Sequence, residues 1–141
     1  MQNSAPEIVS IADACLGGLR GRSALLIGPQ ELRHPYSSLL QQAGLKNLYQ
    51  EETAQRLSAI LPHVQLLMHL PSISPGPSSA IPLITASSIA KGCIGRRSPL
   101  LIFDLAPSTS IEELVGLLPA VCLYTPNDLR RILARTRVKI S

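Results

Sequence analysis

Apolar residues fall in two rhythms along this chain. Short unbroken apolar runs alternate with stretches in which apolar positions recur every three or four residues. The first rhythm marks strands covered on both faces, and the second marks helices that bury one stripe. "APEIVSIADACLGGL" opens with Pro6 at a helix-start position and Glu7 in the first turn. It keeps Ile8, Ile11, Ala12, Cys15 and Leu16 at helical spacing, and Gly17 and Gly18 stop it. Ala24 to Ile27 then forms a strand without polar alternation. "HPYSSLLQQAG" predicts a helix with Pro35 near its first position and Gly44 as its stop. "LKNLYQ" is a second strand, and "EETAQRLSAIL" a second helix closed by Pro62. Val64 to Leu70 is a third strand.

Beyond Leu70, "PSISPGPSSAIP" reads as a loop and "ITASSIAKGC" as a short helix. "PLLIFDLA" is a fourth, very apolar strand. "STSIEELVGLL" predicts a helix capped by Ser110, with Glu112 and Glu113 in its first turn. "AVCLY" is a fifth strand. "TPNDLRRILARTR" is a last helix, with Thr125 as cap and Pro126 at its first position. Strands and helices alternate through short links, which predicts an α/β fold: an open parallel sheet of about five strands with helices on both faces. In such sheets ligands bind beyond the carboxyl ends of the strands. The turn after Ile27 and the loops after Leu70 and Leu105 should line that crevice. The "SISPGPSS" segment is either a lid or partner contact, or a plain connection.

A length of 141 residues suits a single domain, residues 1–141, with 45% apolar residues to fill its core. Within it, 1–20 is a leading helix, 21–125 the alternating strands and helices, and 126–141 a basic terminal helix. The net charge of +4 is mild, but Arg130, Arg131, Arg135, Arg137 and Lys139 gather at that end. They are either a solvated helix face that suits the helix dipole, or a contact for a protein chain or for RNA. Cys15, Cys93 and Cys122 lack metal or disulfide spacing and read as buried free thiols. His34, His63 and His69 are scattered and predict no metal site. No Ser-His-Asp, phosphate-loop or zinc-hydrolase motif is present, so no catalytic residue is assigned. No apolar stretch reaches the ~18 residues of a membrane span. The expectation is a soluble, cytoplasmic protein without membrane contact.

"LLIGPQELR" poses the functional question. Gly28 follows the first strand as the opening glycine of a dinucleotide turn would, but the later glycines of G-x-G-x-x-G are replaced by Gln30 and Arg33. The second glycine admits the pyrophosphate and the third admits the helix against the strand, so two long side chains oppose both. Pro29 removes one backbone donor. Arg33 either pairs with a phosphate or points to solvent. Glu51 lies about 20 positions on, where an acidic side chain would hold an NAD ribose. It is otherwise the acidic first turn of the next helix. His69, at the crevice rim, is a candidate ligand for a haem or tetrapyrrole iron or a proton carrier, or else structural. Asp104 is either an acid or base or, as favoured here, a residue that caps a helix or holds a loop.

As a set, the segments resemble the NADP-binding domain of glutamyl-tRNA reductase. "PLLIFDLAPSTSIEELVGLLPAVCLYTPNDLRRIL" carries the best match, through Pro99, Leu100, Asp104, Ala106, Val121, Leu123, Tyr124, Asp128 and Leu129. "LRGRSALLIG" and "LLQQAGLKNLY" add the first two strands. The resemblance implies a Rossmann-like three-layer fold, a link to tetrapyrrole synthesis, and an NAD(P) site at Gly28, Pro29, Gln30, Arg33, Glu51, His69, Asp104 and Ala106. It also implies a nucleophilic cysteine in a separate amino-terminal domain and a helical dimerisation domain, for which this chain has no room.

The crevice departs from the family at four loops. The family turn Gly-Ala-Gly-Glu-Met-Gly is altered. Asn-Arg-Thr after the second strand has become Gln50, Glu51, Glu52 and Thr53. Ser-Ser-Thr-Gly after the third has become His69, Leu70, Pro71 and Ser72. Val-Pro-Arg-Asp after the fourth has become Pro107, Ser108, Thr109 and Ser110. Two carboxylates would repel a 2′-phosphate, so standard NADP binding is not expected. The cofactor stays open between NAD, NADP and none. The expectation is an accessory or binding protein of tetrapyrrole metabolism. Its competitors are an NAD(P)-binding oxidoreductase subunit served by a separate catalytic chain, and a protein- or tRNA-interaction module using the last helix.

Overall fold

The structure, a computed structural model, describes residues 4–70, 84–106 and 110–140, the side chains of 136–140 excepted. Its elements run α1 (Ala5–Leu16), β1 (Ser23–Ile27), α2 (Gln30–Gln42), β2 (Asn47–Glu51), α3 (Leu57–Ile60), β3 (Leu66–His69), α4 (Ala86–Gly92), β4 (Leu100–Asp104), β5 (Val121–Tyr124) and α5 (Pro126–Ile140). Two 3-10 segments, Leu61–His63 and Glu113–Leu117, complete it. All strand pairs are parallel, in the order β2-β1-β3-β4-β5. The fold is a Rossmann-like three-layer α/β domain.

Alternate strand residues explain the layers, because successive side chains point to opposite faces. Ala24, Leu26, Leu66, Met68, Leu101 and Phe103 pack against α1, α2 and α5 through Ile8, Tyr36, Leu40 and Leu129. Leu25, Ile27, Leu67, Leu100 and Ile102 pack against α3, α4 and the 3-10 segments through Leu57, Leu61, Ile89 and Val115. The central strands β1, β3 and β4 are buried throughout, whereas the edge strands β2 and β5 are partly open. The chain reverses its direction of travel across the sheet between β1 and β3, which puts the topological switch point there.

Three helices differ from the sequence expectation. α2 begins at Gln30 rather than near Pro35, and Pro35 lies inside it. The Pro29 carbonyl accepts the amides of Leu32 and Arg33, both at 3.0 Å, so the first turn forms directly behind β1. α3 is one turn long and tightens into the 3-10 segment at Leu61–His63. Pro62 has no N–H to continue the α-helical ladder. The guanidinium of Arg96 takes the next carbonyls: Nη1 donates to Leu61 at 2.9 Å and Nη2 to Val64. The expected helix at "STSIEELVGLL" is the 3-10 segment Glu113–Leu117, and Ser110 does not cap it. Ile111 instead makes a parallel bridge to Ile84, and Ser110 is held by Asp104.

α1 and α5 form as expected. Gly17 closes α1 at φ 68°. Thr125 Oγ1 accepts the Asp128 amide at 3.1 Å while Asp128 accepts the Thr125 amide at 3.0 Å, a reciprocal cap. The cysteines depart from expectation. Cys15 and Cys122 are exposed and Cys93 is half-buried, because Cys15 sits at the open end of α1 and Cys122 on an edge strand. No helix among the described residues is long and apolar enough to cross a membrane.

Candidate functional site at the carboxyl edge of the sheet

Gly28 leaves β1 at φ 147°, and its amide donates to the Glu51 carbonyl at 2.9 Å. The Leu70 amide donates to the Ile27 carbonyl at 2.7 Å, drawing the exit of β3 over the turn. A Cβ built on Gly28 would lie 2.0 Å from the Leu70 carbonyl oxygen. The two backbones therefore touch across the switch point. Glycine is required because no side chain fits between them.

Arg33 does not point to solvent. It is buried, with Nε donating to the Gly28 carbonyl at 2.7 Å and Nη1 donating to Gln50 Oε1 at 2.8 Å. The guanidinium ties α2 to the end of β1 and to β2. Gln30, by contrast, is exposed at the first turn of α2. Pro29 is the residue before that turn, extended at φ −61° and ψ 146°. Glu51 ends β2 and does not belong to a helix. Its carboxylate is 3.5 Å from the Arg56 guanidinium, an ion pair across the following turn.

His69 and Asp104 end neighbouring strands in register. They are joined by a residue whose role the sequence reading missed. Ser110 Oγ donates to Asp104 Oδ1 at 2.7 Å and lies 2.8 Å from His69 Nδ1. Asp104 also accepts the amides of Ala106 at 3.2 Å, Ser110 at 2.8 Å and Ile111 at 3.2 Å. All three side chains are buried: His69 is 5% exposed, Asp104 1% and Ser110 0%. Asp104 thus anchors the chain that follows β4, and Ala106 is part of that anchor.

The hydrogen bonds also assign the histidine tautomer. A carboxylate only accepts, so the single Ser110 hydroxyl proton goes to Asp104. His69 Nδ1 must then donate to Ser110 Oγ, which leaves Nε2 as the unprotonated, accepting nitrogen. Burial lowers the His69 pKa below the ordinary histidine value, partly opposed by the Asp104 charge. The ring is neutral near pH 7. It is competent to accept a proton or to ligate a soft or borderline metal through Nε2. Among the described residues no three metal-ligating side chains converge. The "SISPGPSS" segment and residues 107–109 border this edge in sequence but lie outside the described residues.

No protein-family model matches the chain. Curated relatives do. The glutamyl-tRNA reductase of Methanocella arvoryzae is 27% identical over 135 residues, covering 88% of this chain and 31% of the relative. That of Alkalilimnicola ehrlichii is 30% identical over 142 residues, covering 92% of this chain and 32% of the relative. The solved glutamyl-tRNA reductase of Methanopyrus kandleri superposes with a TM-score of 0.68 at 23% identity, over 99% of this chain and 39% of that one. The chain is a glutamyl-tRNA-reductase-like Rossmann domain. It spans about a third of the length of the curated relatives it matches. Within this glutamyl-tRNA-reductase-like domain, Gly28, Pro29, Gln30, Arg33, Glu51, His69, Asp104 and Ala106 all lie along one edge of the sheet. They form two groups there: the turn bound to β2, and the His69–Ser110–Asp104 network between β3 and β4.

Proposed function

We propose that this domain is a cytoplasmic binding or accessory unit of tetrapyrrole metabolism in which standard NADP binding is impaired. The observation that carries this reading is the buried Arg33. It occupies the position where a dinucleotide turn has its third glycine, and two of its donors are spent on Gly28 and Gln50. Those bonds hold the guanidinium against the ends of β1 and β2 and leave three of its five N–H donors for any other partner. Pro29 offers no N–H to a pyrophosphate, and Glu51 opposes a 2′-phosphate. The tetrapyrrole context follows from the similarity to glutamyl-tRNA reductases.

One observation favours a second reading, an NAD-linked oxidoreductase subunit served by another chain: Glu51 ends β2 beside the Gly28 turn, where a ribose diol would meet a carboxylate. A protein partner, or less readily tRNA, would meet the exposed basic residues of α5. Of these, Arg130 already bonds Asn127 and Arg131 pairs with Asp128.

Calorimetric titration with NADPH and NADH tests the proposal. The expected result is no saturable NADPH binding below about 1 mM, a ceiling near 4 kcal/mol of binding free energy. Micromolar NADPH binding overturns it. Micromolar NADH binding that Glu51→Ala abolishes establishes the second reading instead.

A further inference from the structure

Two cysteines 107 positions apart in sequence lie near one phenol (122 − 15 = 107). Cys15 Sγ lies 3.4 Å from the Tyr124 hydroxyl. Cys122 and Tyr124 are two residues apart on β5, so their side chains leave the same face of the strand. The Tyr124 ring is held in place by Phe103, with centroids 5.2 Å apart and planes tilted by 57°. Burial raises the Cys122 pKa, the neighbouring Cys15 raises it further, and the Tyr124 hydroxyl lowers it. Both thiols are exposed, so a small oxidant reaches them. Nothing in the proposed nucleotide or His69 chemistry uses this cluster, which lies on the α1/α2/α5 face and away from Asp104.

We propose that Cys15 and Cys122 are a redox-sensitive thiol pair which two-electron oxidation converts into an intramolecular disulfide joining α1 to β5. The S–S bond forms as each thiol gives up one proton and one electron. A diazene oxidant such as diamide accepts both pairs, its N=N bond becoming the N–N bond of a hydrazine. The cross-link closes a loop that contains β1 to β4. Oxidation therefore ties the first helix to the far edge of the sheet and constrains the unfolded chain. Burial pushes the Cys122 thiol up and so slows its reaction near pH 7, and the pair should oxidise faster as pH rises.

The test treats the purified full chain with a small molar excess of diamide, counts free thiols, and maps disulfide-linked peptides without reduction. The expected count falls from three free thiols to one, with Cys15 and Cys122 peptides linked within a monomer and Cys93 free. Cys15→Ser and Cys122→Ser, each a near-isosteric change at an exposed site, should each abolish the intramolecular link. Three reactive thiols after oxidation overturn the proposal. So does linkage only between molecules, or loss of two thiols in the Cys15→Ser variant.

Discussion

Gly28→Ala tests the contact that closes the switch point. The added Cβ would lie 2.0 Å from the Leu70 carbonyl oxygen, 2.8 Å from its carbon and 2.9 Å from the Leu70 Cβ. Two of these neighbours are backbone atoms, so no rotamer change relieves the overlap. β1 and β3 must part at their ends. The bonds at risk are Leu70 N–H to Ile27 at 2.7 Å and Gly28 N–H to Glu51 at 2.9 Å. Each contributes about 1 kcal/mol net. Holding alanine at φ 147° adds about 1–2 kcal/mol of backbone strain. The total is about 3–4 kcal/mol, a fall in Tm of roughly 9–12 °C for a domain of this size. Thermal unfolding followed by circular dichroism measures it. Gly18→Ala is the control, since Gly18 has φ 115° and nothing within 4 Å of its Cβ. It should lose only the strain contribution, roughly 3–6 °C. Equal losses in the two variants would refute the close approach of Gly28 and Leu70, and with it the closed switch point.

The remaining predictions concern groups deeper in the fold. His69 has a lowered pKa when folded, so the unfolded chain binds the proton first as pH falls below about 6.5. Stability contributed by the neutral ring is present above that pH and is lost on acidification through it; the Tm difference between wild type and His69→Gln should change between pH 7 and pH 5, and a constant difference would count against the buried neutral ring. Asp104→Asn places an amide where a carboxylate accepts four hydrogen bonds, and urea unfolding should show a loss of about 3 kcal/mol. Arg96→Lys keeps the charge but cannot span the carbonyls of Leu61, Val64, Ser98 and Pro99, and should cost about 2 kcal/mol in the same assay.

By itself, the sequence determined the class of fold. Unbroken apolar runs such as Ala24–Ile27 and Leu100–Phe103 can be stable only when covered on both faces, and helical stripes between them supply the cover. It also determined where α1 begins and ends and where α5 begins, because glycine, proline and capping side chains act on their immediate neighbours. Tertiary structure decided everything that depended on a distant partner. Arg33 could have faced a phosphate or the solvent. Its burial needed Gln50 on another strand, and no local pattern announces that bond. Ser110 read as a helix cap because its neighbours suit one. Asp104 and His69, brought alongside by the register of β3 and β4, offered its hydroxyl and amide stronger partners than a short helix could. Cys15 reached the Tyr124 hydroxyl only because the first helix packs near the last strand. Local propensity is set by residues a few positions apart, whereas a site is assembled by strand order and register, which close contacts across the whole chain.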